Sequence, residues 1–337
     1  MKIKLLLPLF LFGIASQAQN GIDELLAAGI EDAKQFSESY FSPAAEGVMF
    51  GLSNGWYNTA EAKKPGHFEV SIIGNASFIK DEHKSFILNV DDYTYLRFQD
   101  PSQQMGEVAT ALGENDPEIT MIIEFENGLG MTEEMEITLP QGIGSTGVNV
   151  LPTAYLQASV GVFKGTEMKV RYLPKIDQED VELQLFGGAL QHELTSWIPG
   201  AKALPVSIGV LVGYTHLNAR YDLDDSSVVE GDNQHIKTKV NSLVFSAFAS
   251  TKLPMINFYG GLGYISGNSQ SDLLGTYRVQ TGILGSQTLI DPYSVENKVD
   301  GMKATLGARL KVGFFRLHAD YSFQKFNNAS MGISFGF

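Results

Sequence analysis

The feature that most constrains this chain is a strict two-residue alternation over its final residues, 302–337. Apolar and polar side chains alternate through residues 302–311, 315–324 and 329–337, with short interruptions between them. This period predicts three successive β-strands, each with one apolar and one polar face. The polar faces carry ionised side chains such as Arg309 and Arg316, and the chain stops at Phe337, in phase with the apolar faces.

Charged residues on one strand face, very short turns and a terminal aromatic residue together favour a membrane β-barrel. In such a barrel the apolar face contacts lipid and the polar face lines the interior. Phe335 and Phe337 would form the barrel's C-terminal signal, which implies outer-membrane lipid and the barrel assembly machinery as partners. A secreted or periplasmic β-sandwich shares most of these features and remains the alternative.

The first residues have the pattern of an export signal. Lys2 and Lys4 precede an apolar run over residues 5–15, and Ser16-Gln17-Ala18 is a small-x-small cleavage site. We therefore expect a signal peptide over residues 1–18 and a location in the outer membrane. A buried N-terminal strand is the less favoured interpretation. The absence of Cys excludes disulfides, thiolate zinc sites and cysteine nucleophiles.

The charge of the chain argues against a nucleic-acid partner. The net charge is −14, and without Lys2 and Lys4 the chain has 22 basic against 38 acidic residues, a net of −16. Nucleic-acid affinity comes largely from neutralised phosphates, so such an acidic chain is a poor partner. Mean hydropathy is −0.03, and residues 19–337 contain no apolar run near the roughly 20 residues of a transmembrane helix.

Residues 19–66 form a predicted N-terminal segment ahead of the barrel. Residues 20–40 have helical spacing of apolar side chains and acidic residues in the first turn, and Ser42-Pro43 is expected to end the helix. Residues 44–66 are small, irregular and contain Phe50, Trp56 and Tyr57. The segment is expected either to fold into the barrel as a plug or to lie outside it as a periplasmic cap.

The expected fold is all-β, a transmembrane antiparallel up-and-down barrel over residues 67–337 with about twelve strands, ten to fourteen being compatible with the patterns. Strands are expected at 68–78, 85–98, 118–126 and 135–139, and from residue 155 onwards. The longest connections, 222–233 and 268–298, are expected outside the cell. Aromatic residues near strand ends, Tyr155 among them, are expected in interfacial girdles.

Seven polar residues of the strands are expected to line the lumen. We expect them to pair with acids such as Glu69, Glu167 and Glu182 more than to form a cationic patch that attracts a carboxylate. The predicted lumen-lining residues are Lys169, Arg171, Lys303, Arg309, Lys311, Arg316 and His318.

No catalytic, cofactor or metal site is predicted. Residues 142–147 match GxGxxG but lack the following helix that nucleotide binding requires. The acidic loop at 222–232 is more simply a solvated surface than a cation site. His318, Asp320 and Ser322 share one strand face, but no nucleophile elbow accompanies them. The chain is expected not to be an enzyme.

Several motifs resemble a known group of proteins. Ser53-Asn54-Gly55-Trp56-Tyr57 and the barrel after it resemble the outer-membrane transporters of long-chain fatty acids and other hydrophobic compounds. Residues 151–161, Arg171-Tyr172-Leu173-Pro174 and Trp197-Ile198-Pro199-Gly200 resemble an uncharacterised family of exported barrels related to that group. The resemblance implies an N-terminal hatch inside the barrel and a lateral exit for substrate, although those transporters usually have more strands than the count here.

Two main functions follow as hypotheses. The first is passive uptake of a hydrophobic or amphipathic small molecule, gated by residues 20–66. The second is a structural or surface-interaction barrel without transport activity. A lipid-modifying barrel enzyme using His318 and Ser322 is the third and least favoured.

Overall fold

The computed structural model describes residues 25–126, 132–178, 180–200, 204–223, 229–280 and 286–337. The predicted signal peptide, residues 1–18, lies outside these ranges. The described residues contain one α-helix, α1 (Ile30–Leu52), after a 3₁₀ turn at Leu26–Ala28. The strands are β1 Phe68–Phe78, β2 Ser85–Asn89, β3 Leu96–Phe98, β4 Met105–Ala109, β5 Thr120–Glu126, β6 Thr132–Thr138, β7 Val150–Phe163, β8 Thr166–Gln178, β9 Val181–Glu193, β10 Val206–Asp222, β11 Val229–Thr251, β12 Ile256–Gln280, β13 Ser286–Ile290, β14 Tyr293–Val312, β15 Phe315–Phe323 and β16 Asn328–Gly336.

Ten of these strands form a closed antiparallel ring, which confirms the predicted barrel. The order around the ring is β1, β7, β8, β9, β10, β11, β12, β14, β15 and β16. β16 pairs with β1 to close it, and Phe68 and Phe337 exchange two backbone hydrogen bonds of 3.1 and 2.9 Å at this seam. β13 pairs only with the far part of β12. The ring therefore has ten strands, fewer than the expected twelve and at the lower limit of the expected range.

The alternation of the sequence determines which way each side chain of the barrel points. On β1, Val70 and Ile72 face outwards and are 45% and 58% exposed, whereas Ser71 and Asn75 face inwards and are buried. β14 and β16 repeat the pattern, with Met302 and Met331 more than 60% exposed. The outer surface is thus a continuous apolar belt around a polar lumen, the arrangement of a barrel that is surrounded by lipid.

The described residues between 79 and 149 form a separate cap between β1 and β7. The cap contains two small sheets, β2–β4 and β3–β5–β6, and neither belongs to the ring. The prediction of barrel strands at 85–98, 118–126 and 135–139 is therefore wrong. A strand of a small half-buried sheet alternates in the same way as a barrel strand, so the period alone does not distinguish them. The cap has 14 acidic and 3 basic residues.

The barrel has two different ends. At the turn end, tight connections follow β7, β11 and β14, and a longer one with a 3₁₀ turn at Leu194–Trp197 follows β9. At the cap end lie the cap and two long hairpins. Residues 268–298, expected to be a loop, are mostly paired strand, because β12 and β14 stay in register from Leu273–Tyr293 down to Ile256–Leu310.

α1 lies at the cap end, and its last turns enter the barrel. It runs through Pro43 to Leu52, past the end that Ser42-Pro43 predicts. Proline inside a helix removes one hydrogen bond and costs about 3 kcal/mol. The apolar side chains that follow offset this cost, since Met49, Phe50 and Leu52 are fully buried among the strands.

None of the helices in the described ranges is both long and apolar enough to cross a membrane.

Candidate functional site

The candidate site is the lumen of the barrel, which is occupied by the chain's own residues 53–66, here called the lumen segment. It leaves the end of α1 and runs to the turn end, touching strands on opposite sides of the ring. Asn58 lies 3.3 Å from Nδ1 of His318 on β15, and Thr59 Oγ1 lies 3.2 Å from Ser250 Oγ on β11. Gly66 donates to Gly161 of β7 at 2.9 Å. The lumen segment therefore spans the barrel from one end towards the other.

Arg171 forms the centre of the upper contact, here called the upper anchor. Its guanidinium donates to the carbonyls of Leu52 at 2.9 Å and Asn54 at 2.6 Å, and its Nε donates to Gln157 at 2.8 Å. The same group lies 3.4 Å from the ring centroid of Trp56. Planar guanidinium suits such simultaneous stacking and hydrogen bonding. Lys303 adds a bond of 2.8 Å to the carbonyl of Ser53.

The lower anchor, towards the turn end, is a network of charged side chains. Lys63 of the lumen segment lies 3.0 Å from Glu167 and 3.8 Å from Glu69. Lys169 pairs with Glu167 at 3.0 Å. Glu69 also accepts from Arg309 and forms an ion pair with Arg316, each at 3.2 Å. Glu69 and Glu167 are almost completely buried, so the surrounding cations compensate charges that would otherwise be costly to remove from water.

The other predicted residues are distributed along the barrel. Phe50 lies in the last turn of α1 and packs against Phe326, with ring centroids 6.2 Å apart. Tyr57 stacks on Phe248, with ring centroids 3.9 Å apart. Lys311 is exposed at the turn end. Phe335 and Phe337 lie on the outer surface there, 39% and 65% exposed.

Tyr155 was expected in an outer girdle and lies in the lumen instead. Its ring faces Arg171 and its hydroxyl donates to the carbonyl of Asn54 at 2.7 Å. The inward position follows from the alternation of the strand. The next residue, Leu156, faces outwards and is 45% exposed, so Tyr155 must face inwards. The prediction of an outer position for Tyr155 relied on its aromatic side chain and is wrong.

Two residues of the site were not singled out from the sequence. Lys63 lies in the irregular segment, where no periodicity indicates direction. Glu193 accepts from the backbone N–H of Ala62 at 3.0 Å and from the hydroxyls of Thr195 and Ser207. Its odd number in β9 matches the inward residues of that strand, so alternation could have identified it.

The residues considered for esterase chemistry have separate partners. His318 contacts Asn58, Asp320 accepts from Tyr259 at 2.8 Å, and Ser322 bonds to Thr305 at 2.8 Å. In the part of the chain that is described, no group of three His, Asp or Glu residues could hold a metal ion. Asp222 of the acidic loop pairs with Arg220, whereas Asp224 and Asp225 lie outside the described residues.

An apolar crevice of about 130 Å³ lies between α1 and the barrel wall, beside the entrance to the lumen. Its volume is close to that of a cavity of about 150 Å³ that holds benzene. Almost all of its surface is aliphatic or aromatic. The helix contributes Phe41, Ala44, Ala45 and Val48, and the wall contributes, among others, Leu217, Tyr221, Ile236 and Val240.

Solved structures with a similar fold are outer-membrane proteins. Ail, the attachment invasion locus protein of Yersinia pestis, is 9% identical, with 81% of this chain and 99% of Ail covered and a TM-score of 0.28. OprG of Pseudomonas aeruginosa is 10% identical, with 83% and 99% covered and a TM-score of 0.31. A FadL homologue of P. aeruginosa is 10% identical, with 80% and 89% covered and a TM-score of 0.21. Likenesses this low identify no substrate or partner.

No curated protein matches the sequence. One family model matches the entire chain, residues 1–337. The match includes the signal-like segment, the lumen segment, the cap and the barrel. The chain belongs to DUF6588, a family of unknown function.

Proposed function

We propose that the protein is an outer-membrane barrel for passive uptake of hydrophobic or amphipathic small molecules, in which the lumen segment is displaced during passage. The apolar belt supports the location, with the short turns towards the periplasm and the cap outside, as is usual for such barrels. The observation that carries the proposal is the apolar crevice beside the lumen entrance. A hydrophobic group that enters the crevice contacts α1, whose end continues directly into the lumen segment.

The chemistry of the anchors suits a segment that can leave and return. Arg171 and Lys303 bind backbone carbonyls, and Lys63 binds carboxylates. Water can replace each of these polar partners on release, whereas Trp56 and Tyr57 would leave their ring contacts with Arg171 and Phe248. This function is non-enzymatic, and its relation to the fatty-acid transporters rests on the resemblance of the lumen segment and barrel.

A reversible crosslink tests the proposal directly. The chain has no Cys, so Thr59→Cys with Ser250→Cys would introduce one disulfide between the lumen segment and β11, where the hydroxyl oxygens lie 3.2 Å apart. In liposomes with a fluorescent fatty acid as probe, we expect uptake to stop on oxidation and to return on reduction. Equal uptake in both redox states would show that the segment need not move.

A matched control crosslinks two parts of the wall. Ser71→Cys with Ser334→Cys joins β1 to β16, where the hydroxyl oxygens are 2.8 Å apart. This disulfide leaves the lumen segment untethered, so oxidation should not change uptake. Loss of uptake in both pairs would point to rigidity of the barrel and not to the lumen segment.

A second function, a surface-interaction barrel, is favoured by the cap. Its 14 acidic and 3 basic residues make it far more acidic than the rest of the chain, which would attract a cationic partner at the cell surface. The absence of both uptake and ionic current, in the intact protein and in a variant without residues 20–66, would favour this function.

A further inference from the structure

Four cations lie close together on the outer face of the barrel, near the cap end. They are Lys175 of β8, Arg220 of β10, and Lys237 and Lys239 of β11. Lys237 lies directly across from Arg220, and Lys239 across from Asn218, in the β10–β11 register. Lys175, Arg220 and Lys237 line one cavity of about 200 Å³ together with the amides of Gln184 and Asn218. Such a concentration is unexpected in a chain with a net charge of −14.

The four cations lie just beyond the edge of the apolar belt. Aromatic side chains mark this edge on the outer face, with Tyr172 49% and Tyr214 41% exposed. The hydroxyl of Tyr214 donates to Asn241 at 2.6 Å. Lys239 and Lys237 precede Asn241 by two and four residues along β11. This is about 7 and 14 Å along the strand, and less along the membrane normal because strands tilt. Lysine side chains at this height reach the headgroup layer.

The charges are arranged to receive an anion. Glu182 holds Lys175 at 2.9 Å and Asp222 holds Arg220 at 2.6 Å, which directs these two cations along the surface. Among the described residues, Lys237 and Lys239 make no ion pair within 4 Å. Asp272 lies across from Lys237 in the β11–β12 register, and it accepts hydrogen bonds from Gln270 and Ser294. Two oriented cations and two cations without an ion pair to a described residue, with the amides of Gln184 and Asn218 between them, match the several oxygens of a phosphate.

We propose that these residues form a binding site for the phosphate-bearing headgroup of an anionic lipid in the outer leaflet. The inference rests on the membrane location in the proposed function and does not depend on uptake. Basic pockets beside membrane-spanning elements bind such headgroups, and each lysine near an anionic surface adds to the affinity. Bound lipid would thus contact β10 and β11, whose inner faces line the apolar crevice.

The same barrel supplies a matched control for charge. Lys298 of β14 is exposed on the outer face and pairs in register with Asn268, which itself lies across from Asn241. It therefore lies at a similar height, but between Glu296 and Asp300 on its own strand face. Lys298→Gln lowers the net charge by one, as Lys237→Gln alone does, without changing the proposed site.

The test is retention of phosphatidic acid by detergent-solubilised protein, measured by native mass spectrometry against phosphatidylcholine and inorganic phosphate. We expect a preference for phosphatidic acid, a loss of about tenfold in Lys237→Gln/Lys239→Gln, which corresponds to the contribution of two lysines or somewhat less, and no loss in Lys298→Gln. Heat-modifiable migration of each variant checks that the barrel is folded.

Three outcomes would overturn the proposal. A loss in Lys298→Gln equal to that in Lys237→Gln alone would mean that only overall charge matters. Equal competition by inorganic phosphate would mean a site for free anions and not for a lipid. Equal retention of phosphatidic acid and phosphatidylcholine would mean no anionic headgroup site. Lipid retention is measured without transport. A negative result in the retention test therefore does not bear on the crosslinking test of uptake, and a negative crosslinking test does not bear on lipid retention.

Discussion

The upper and lower anchors hold the same lumen segment by different chemistry. At the upper anchor, Arg171 and Lys303 bind backbone carbonyls of residues 52–54, and Trp56 stacks on the guanidinium. At the lower anchor, one side chain of the segment, Lys63, joins a network of five wall residues, namely Glu69, Glu167, Lys169, Arg309 and Arg316. The upper anchor thus binds backbone carbonyls of the segment. The lower anchor binds one charged side chain together with the backbone N–H groups of Ala62 and Lys63, which donate to Glu193 and Glu167.

Gly213 illustrates how closely the upper anchor is packed. A Cβ atom at this position on β10 would lie 2.8 Å from the Trp56 ring, closer than non-bonded carbons can approach without displacement. Trp56 is therefore held between the wall at Gly213 and the guanidinium of Arg171. The lower anchor contains charged side chains and no comparable aromatic contact among the described residues.

The largest effect is expected from Arg171→Met. The change removes three hydrogen bonds from a buried cation and the stack on Trp56, so docking of the lumen segment should weaken by about 3 kcal/mol or more. Fluorescence of Trp56 in a Trp197→Phe background, which leaves a single Trp, measures this as greater quencher access. Arg171→Lys keeps the charge but not the planar guanidinium with its several donors, so quencher access to Trp56 should be intermediate. Unchanged Trp56 protection would mean that the upper anchor does not hold the segment.

A smaller effect is expected from Lys63→Met. Glu167 keeps Lys169, and Glu69 keeps Arg309 and Arg316, so neither buried carboxylate is left unpaired and the loss should be about 1 kcal/mol. Labelling of Ala62→Cys by a maleimide should become a few times faster. The matched control is Lys64→Met, which removes the exposed neighbouring charge and should leave the rate unchanged. A similar acceleration in both variants would rule out the specific role of Lys63.

The smallest effect concerns His83, which connects the cap to the top of the lumen. Its ring stacks on Phe326 at 3.8 Å, and Phe326 contacts Phe50 at the end of α1. Burial lowers the pKa of His83 below its ordinary value of 6.5, with Glu82 and Glu46 acting against this and Lys80 and Lys325 with it. Above pH 6.5 the ring is neutral whether docked or not. As pH falls below 6.5, the undocked ring protonates first, so docking weakens.

Hydrogen exchange of residues 81–113, corrected for intrinsic rates, measures this pH dependence. Between pH 7.5 and 5.5 we expect a loss of at most about 1 kcal/mol in local stability, because one pKa unit corresponds to 1.36 kcal/mol. His83→Gln should remove most of the slope. If the slope persists in that variant, the nearby carboxylates and not His83 are responsible.

Alternation predicted the wall well and the cap poorly. In residues 302–337 the predicted and observed strands agree, since every position has only two directions and a bilayer requires apolar residues on one of them. The same period in residues 120–126 and 132–138 belongs to a small sheet outside the ring. Only the partner strand distinguishes the two, and strand pairing is not encoded in local periodicity.

The lumen site was predictable in part. The inward direction of Lys169 and Arg171 follows from the two-residue alternation of their strand. The residues that they contact cannot be predicted from that alternation. Arg171 binds carbonyls more than a hundred residues away along the chain, and backbone carbonyls leave no sign in the sequence. The end of α1 at Leu52 also depends on tertiary contacts. Burial of Phe50 and Leu52 outweighs the local cost of Pro43, so the helix continues past the predicted end.

The sequence by itself determined that the chain forms a barrel with an apolar outside and a polar inside, because the two-residue period is a property of each strand alone. The tertiary structure decided that the ring has ten strands, that the described residues between 79 and 149 form a cap, and that residues 53–66 fill the lumen. It also brought Lys175, Arg220, Lys237 and Lys239 together from three strands. These features depend on contacts between distant segments, whose free energy arises only when the ring has closed.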